Sequence, residues 1–311
     1  MAQTYHLYAD SYDFRAYMSG TDHVTDWDSD EAPIVRVLGS ASKRIDSYLG
    51  RSFGIRTETH TYDIGRGALR NDRTFRGYGN EINDYPDYWS SKLSGAGILL
   101  LGDWLATATT VTAYGQTART TSTVLTEGIG NDFLLEPYNR SPKTLMKLEE
   151  DTTDSLYGGQ QTLTILGEWG WQSDTTSASV LQTAISSTTA TAVVLTSGSH
   201  PVYAGDTIII DTEQMYVSTK SGVNLTVIRG VNGTTAATHS DAAVVSTWIY
   251  ADDVMQATLD IARTYWRSRD AGLTTMIGTG EMGMSNPARE ENAILKRLDH
   301  YRNSRETAVY V

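Results

Sequence analysis

Any chemistry in this chain must come from histidines, carboxylates, hydroxyls or arginines, because it contains no cysteine. That excludes disulfide scaffolds, thiolate zinc sites, iron–sulfur clusters and cysteine nucleophiles. His6, His23, His60, His200, His239 and His300 never fall within five residues of one another, so none forms a local metal motif. Glu168-Trp169-Gly170-Trp171 sets a carboxylate beside aromatic rings. Glycoside hydrolysis needs a second carboxylate, which Glu149 or Glu150 could supply. A strand end with buried tryptophans accounts for the same residues. Asp26-Trp27-Asp28-Ser29-Asp30 opens like a calcium loop, but Glu31 and Val37 stand where that loop needs Gly and Glu. Gly278-Thr279-Gly280-Glu281-Met282-Gly283 has the spacing of a dinucleotide fingerprint, yet it lies between two helical patterns instead of following a strand. No Gly-x-Ser-x-Gly elbow, Gly-Lys-Ser/Thr phosphate loop or His-Glu-x-x-His is present. These residues point to a non-enzymatic chain without cofactor or metal.

Charge narrows the partners. The formal net charge is −12, which argues against wrapping nucleic acid by phosphate neutralisation. Half of that excess lies in residues 1–31, with seven acidic side chains and one basic. Arg51, Arg56, Arg66, Arg70, Arg73 and Arg76 cluster further on, and Arg outnumbers Lys 19 to 6. No apolar run approaches the ~20 residues of a membrane span, and Met1-Ala-Gln-Thr-Tyr-His lacks the basic and apolar regions of a secretory signal. A soluble protein folded in the cytoplasm is expected.

The elements that must position these residues follow from periodicity. The 311 residues suggest two or three domains. Residues 1–31 show no clean period but carry Tyr5, Tyr8, Tyr12, Phe14, Tyr17 and Trp27. They are too aromatic for a disordered tail and suggest an arm that orders against something. Asp30, Pro33 and the stripe Ile34, Val37, Leu38, Ala41, Ile45, Tyr48, Leu49 predict a helix closed by Gly50. Alternation over residues 57–62 predicts a strand. Strands are also predicted over 98–101, 109–114, 120–125, 132–135, 144–148 and 161–166. Of the 42 threonines, 29 lie between residues 101 and 250, where a β-rich region is expected. Within residues 173–249, strands are predicted over 192–196, 207–210, 214–219, 225–229 and 243–247. Asp252 opens a helix carrying Val254, Ala257, Ile261 and Tyr265, and Asn286-Pro287 opens another. The fold class expected is α+β. It has a helical core of one N-terminal and two C-terminal helices, a β-rich extension, and a small β-barrel or sandwich inserted at 173–249 between core segments 32–172 and 250–311.

Several segments, in order, resemble the head–tail connector (adaptor) family of tailed bacteriophages. They are Ile34–Phe53, with Asp46-x-Tyr48-x-Gly50-Arg51-x-Phe53, then Thr109–Gly115, Asp132–Pro137, Ile165–Trp171 and Asp252–Asp270. In that family the Trp-Gly segment leads almost directly into the next helix; here residues 173–249 intervene. This insertion is similar to a small β module recurring in phage virion proteins. It carries Ile210-Asp-Thr-Glu213 and Val227-Ile-Arg229-Gly-Val-Asn-Gly233 through His239. The resemblance implies a structural virion protein of the phage neck, forming a ring with itself, commonly of twelve copies. Its partners would be the portal protein, a downstream neck or tail protein, and double-stranded DNA passing through without sequence-specific contact. Ring subunits use head-to-tail interfaces. Asp10, Asp13, Asp22, Asp26 and Asp28 are therefore candidates to meet Arg66, Arg70, Arg73 and Arg76 on a neighbour or on the portal. The tail carrying Arg302, Arg305, Val309, Tyr310 and Val311 is a candidate for docking on the portal by strand addition. Scarce lysine suits a channel that passes DNA without gripping it. The alternatives are a virion adhesin or carbohydrate-binding protein, with 173–249 as binding domain, and a tail-completion protein.

Overall fold

The computed structural model describes residues 5–19, 31–64, 97–114, 121–149, 159–171, 174–197, 201–270 and 287–302. These residues form an α+β fold of four helices and two six-stranded antiparallel sheets. The chain divides into two compact units, residues 57–171 and residues 1–56 with 172–311. The strands of residues 175–248 thus fall in the same unit as the helices.

In that unit, α1 (Ser11–Met18) and α2 (Glu31–Leu49) precede the β region, and α3 (Asp252–Asp270) and α4 (Pro287–Lys296) follow it. Most of the stripe expected on α2 is buried: Ile34, Leu38, Ala41, Ile45 and Leu49 are all within 3% of full burial, while Val37 and Tyr48 are half-buried. α2 packs on α3, whose Val254, Ala257, Ile261, Ala262 and Trp266 are buried, and α4 adds Ile294, Leu295 and Leu298. Gly50 ends α2 at φ +69°, a left-handed conformation that suits glycine. The helical core therefore has two N-terminal helices where one was expected. α1 escaped periodicity because only Phe14 and Met18 mark its buried face, and the third buried position is Ser11.

The other unit is built on one sheet of β1 (Arg56–Ile64), β2 (Gly97–Tyr114), β3 (Ser122–Leu125), β4 (Phe133–Glu136), β5 (Lys143–Leu148) and β6 (Gly159–Trp169). Its order is β1-β6-β2-β5-β4, with β3 also on β2. The two strands predicted over 98–101 and 109–114 are one long strand. Gly102, at φ +74°, sits where the register with β5 shifts between Leu100 and Leu105. Trp169 is fully buried; its Nε1 donates to the Glu58 carbonyl at 3.1 Å, and His60 stacks on its ring at 3.7 Å.

The second sheet has the order β7-β12-β9-β10-β11-β8 and shows no closed barrel among the described residues. Its strands are β7 (Thr175–Val180), β8 (Ala192–Val194), β9 (Thr207–Ile210), β10 (Glu213–Ser221), β11 (Asn224–Ile228) and β12 (Val244–Trp248). Ile208, Ile210, Met215, Val217, Leu225 and Val227 face one apolar core. β7 was not expected; its polar Thr-Thr-Ser-Ala-Ser run gives no alternation.

The loops at one end of this sheet hang on a buried ion pair. The Arg229 guanidinium donates twice to the Glu213 carboxylate, at 2.7 Å each, and to the carbonyls of Ser187 and Ala190 at 3.1 and 2.9 Å. Glu213 also accepts from the amides of Gly230 and Ala237 and faces His239 Nε2 at 2.9 Å. Burial alone would raise the Glu213 pKa, but the Arg229 bonds, with the amides and His239, hold it down to about 2. A carboxylate lowered from its usual 4.5 stabilises the fold above about pH 4.5, and that contribution is lost as pH falls towards 2. Glu213→Gln leaves Arg229 buried without its counter-charge and should cost about 3–5 kcal/mol at neutral pH. Urea denaturation at pH 7 and pH 3 checks both: the variant should start lower and lose less between the two.

Candidate functional site

The N-terminal arm gathers polar side chains from α2, α3 and the second sheet. Its first described residue is held as if by a neighbouring strand. The Tyr5 amide donates to Asn232 Oδ1 at 2.9 Å, and its carbonyl accepts from Asn232 Nδ2 and from the Thr207 hydroxyl. Asn232 Nδ2 also donates to Gln214 Oε1 at 2.8 Å, and Gln214 Nε2 reaches the Ile55 carbonyl at 3.2 Å. Thus two residues of the second sheet and its loop read the arm and the end of the α2 turn together.

His6 follows. Its Nε2 lies 3.1 Å from the Ile55 carbonyl, an acceptor only, so Nε2 carries the proton and Nδ1 accepts from the Tyr250 hydroxyl at 3.2 Å. Burial, with the nearby Arg56 guanidinium, pulls the imidazole pKa down to about 3. The ring lies so close to Gly54 that a Cβ there would meet it at 2.1 Å. Gly205, at φ +97°, gives way in the same manner: a Cβ would meet Leu7 at 2.5 Å and Val35 at 3.1 Å. Tyr8, 1% exposed, places its hydroxyl on Asp46, and the Phe53 amide donates to that oxygen at 3.0 Å. Its own amide donates to Ser42 Oγ at 3.2 Å.

Beyond Tyr8 the arm turns into α1. Asp10 caps it, accepting from the Asp13 amide at 2.7 Å. Phe14 packs edge-on against Trp266, and Tyr17 donates to Asp260 at 2.7 Å. Tyr12 stacks on Tyr203, over whose ring Lys220 Nζ stands at 4.3 Å. Here the arm, β9, the end of β12 and the start of α3 line a half-open cavity of about 250 Å³. Four carboxylates line it, Asp10, Asp13, Asp206 and Asp252, with Tyr8, Trp248 and Tyr250. Burial and the Asp13 charge outweigh the capping bonds and push Asp10 up to about 6. Burial and the Asp10 charge push Asp206 well above the carboxylate range, although the Tyr203 amide donates to it at 2.7 Å. Such a site favours protons or positive charge. No group of three metal-ligating side chains occurs among the described residues.

Of the expected interface residues, the structure brings together Asp10 and Asp13. Asp22, Asp26, Asp28, Arg66, Arg70, Arg73 and Arg76 lie outside the described residues, as do Arg305, Val309, Tyr310 and Val311. Arg302 is exposed, 3.9 Å from Asp299 and with its guanidinium over the Tyr48 ring at 4.8 Å. Sequence reasoning assigned no site role to Asp206, Asp252 or Asn232, which stand 193 or more positions from Asp10 and Asp13; Asp252 read only as the start of a helix. The tryptophans offered as sugar platforms are not free faces. His60 covers Trp169, and Trp171 stands edge-on to buried Trp104.

Comparison of the chain with family models, with curated proteins and with solved structures finds no match. Among the described residues no helix is long and apolar enough to cross a membrane.

The arm's close passage over glycine is open to test. Gly205→Ala adds a methyl group against Leu7 at a left-handed backbone position and should cost about 1–3 kcal/mol. The variant should also be cut faster by trypsin at Arg15, in the loosened arm, at protease concentrations that leave the wild type whole.

Proposed function

We propose that this chain is a structural subunit of a bacteriophage neck, a head–tail connector that assembles into a ring between portal and tail and lets DNA pass. On this reading residues 173–249 are a small β module inserted into a connector core, and the protein is not an enzyme. The observation that supports it most is where the motif residues lie. Of Asp46-x-Tyr48-x-Gly50-Arg51-x-Phe53, Asp46 accepts from the arm's Tyr8 and Tyr48 donates to Asp299 after α4. Gly50 makes the left-handed turn, Arg51 is buried, and Phe53 meets the rings of Tyr8 and Tyr301. A surface helix end has no need of these residue types; a joint that ties two chain ends to one helix does.

A ring subunit needs two unlike surfaces that complement each other. Asp22, Asp26 and Asp28 of the arm and Arg66, Arg70, Arg73 and Arg76 offer opposite charge for such a contact.

Deleting the gene from the genome that carries it tests this. The expected lysate, seen by electron microscopy, holds DNA-filled heads and separate tails that do not join, and supplying the protein in trans restores plaques. Intact infectious particles without it would overturn the reading.

A further inference from the structure

The arm carries titratable groups of opposite habit at its two ends. At the Tyr5–Tyr8 end stands a neutral imidazole wedged between a carbonyl, a hydroxyl and Gly54. At the Asp10–Met18 end stand carboxylates crowded into one cavity. We propose that the arm is a two-ended latch: its Tyr5–Tyr8 end lets go as pH falls, and its Asp10–Met18 end lets go as pH rises.

Each end follows from geometry. A proton on His6 Nδ1 would turn an acceptor into a donor facing the Tyr250 hydroxyl, which has to give up its bond. The added charge would also sit beside Arg56, the charged group facing it from the start of β1. The carboxylates of Asp46 and Asp206 act on Tyr250, its hydroxyl partner. Opening exposes His6 to water, where it takes the proton freely. The docked state is thus lost as pH falls through 6.5 towards 3.

The carboxylate end works in the opposite sense. Asp10 faces Asp13 on α1, Asp206 and Tyr203 beside β9, and Lys220 on β10. Asp252 lines the same cavity from α3 and Tyr250 from the end of β12. Lys220 is a cation acting on Asp10 and Asp206, and Glu31 of α2 acts on it as well. Docked, Asp10 and Asp206 hold protons more tightly than free carboxylates do. Docking there is strongest at low pH and weakens as pH rises through about 6. Opening this end uncovers Trp266, against which Phe14 packs. The arm could then exchange onto a second copy or another partner without unfolding its unit.

Hydrogen exchange on the full chain at pH 5 and pH 7, corrected for intrinsic rates, separates the two ends. From pH 7 to pH 5, protection of residues 5–8 should fall by about twentyfold, while protection of residues 11–18 should rise by about tenfold. Asp10→Asn keeps the cap and should raise protection of α1 at pH 7 and flatten its pH response. His6→Gln should flatten the response of residues 5–8. Both segments moving in the same direction, or either variant keeping the wild-type slope, would overturn the proposal. If His6→Gln does not fold, the wild type and Asp10→Asn suffice. The neck assignment does not enter this measurement, so either idea can fail without the other.

Discussion

One phenol ties the arm to the helical unit. Tyr8 has a single hydroxyl proton, and Asp46 takes it, so the Phe53 amide at 3.0 Å and the Ser52 hydroxyl at 3.1 Å must both donate to the Tyr8 oxygen. The group is satisfied on every side at 1% exposure, which is what makes burial of a hydroxyl and a carboxylate tolerable. Around it the ring meets Phe53 and Tyr250 edge-on. Arm, α2 and the turn after α2 therefore share one atom as their common reference, and the entry to α3 meets its ring. Burial and the Asp46 charge raise the Tyr8 pKa well above that of free tyrosine, so the donor stays a donor over any pH at which the fold persists.

The second sheet contributes to the same joint through residues that read as a sequence motif. The structure gives Glu213, Arg229 and His239 each a scaffolding task. The ion pair pins the 185–190 and 230–239 loops, and with them pinned Asn232 can hold φ +55° and clamp Tyr5. An arginine and a glutamate at those positions would suggest chemistry to a motif search. Both are buried and saturated with hydrogen bonds, which leaves no face for a substrate.

Long periodic segments were legible. The α2 stripe, the Gly50 stop, the Asp252 helix and most strand centres were set by local spacing, and burial follows that spacing. What was not legible shares a physical cause. α1 is two turns long and shows one serine where an apolar residue would have signalled it. β7 is an edge strand of small polar residues, paired on one side only, so no alternation was required of it. Gly102 reads as a break between two strands because a bulge and a turn use the same residue type. The cavity was invisible for a different reason. Asp10 and Asp206 are nearly two hundred positions apart, and nothing in either local sequence says that they share a space.

The acidic excess with which the chain begins consequently has two characters. Asp10 and Asp13 are not a solvated face: they line a cavity with Asp206 and Asp252, and the fold retains them there at an electrostatic cost that asparagine would avoid while still capping the helix. A group kept against its own solvation, in a segment whose other anchor is a neutral histidine held equally against its charge, gives the arm less stability than its buried rings alone would. Phe14 and Met18 are fully buried and would hold a permanent element firmly. Setting charged groups against them makes opening less costly while leaving the closed position specific, and that combination suits a segment that docks in one place and can leave it without loss of the core beneath.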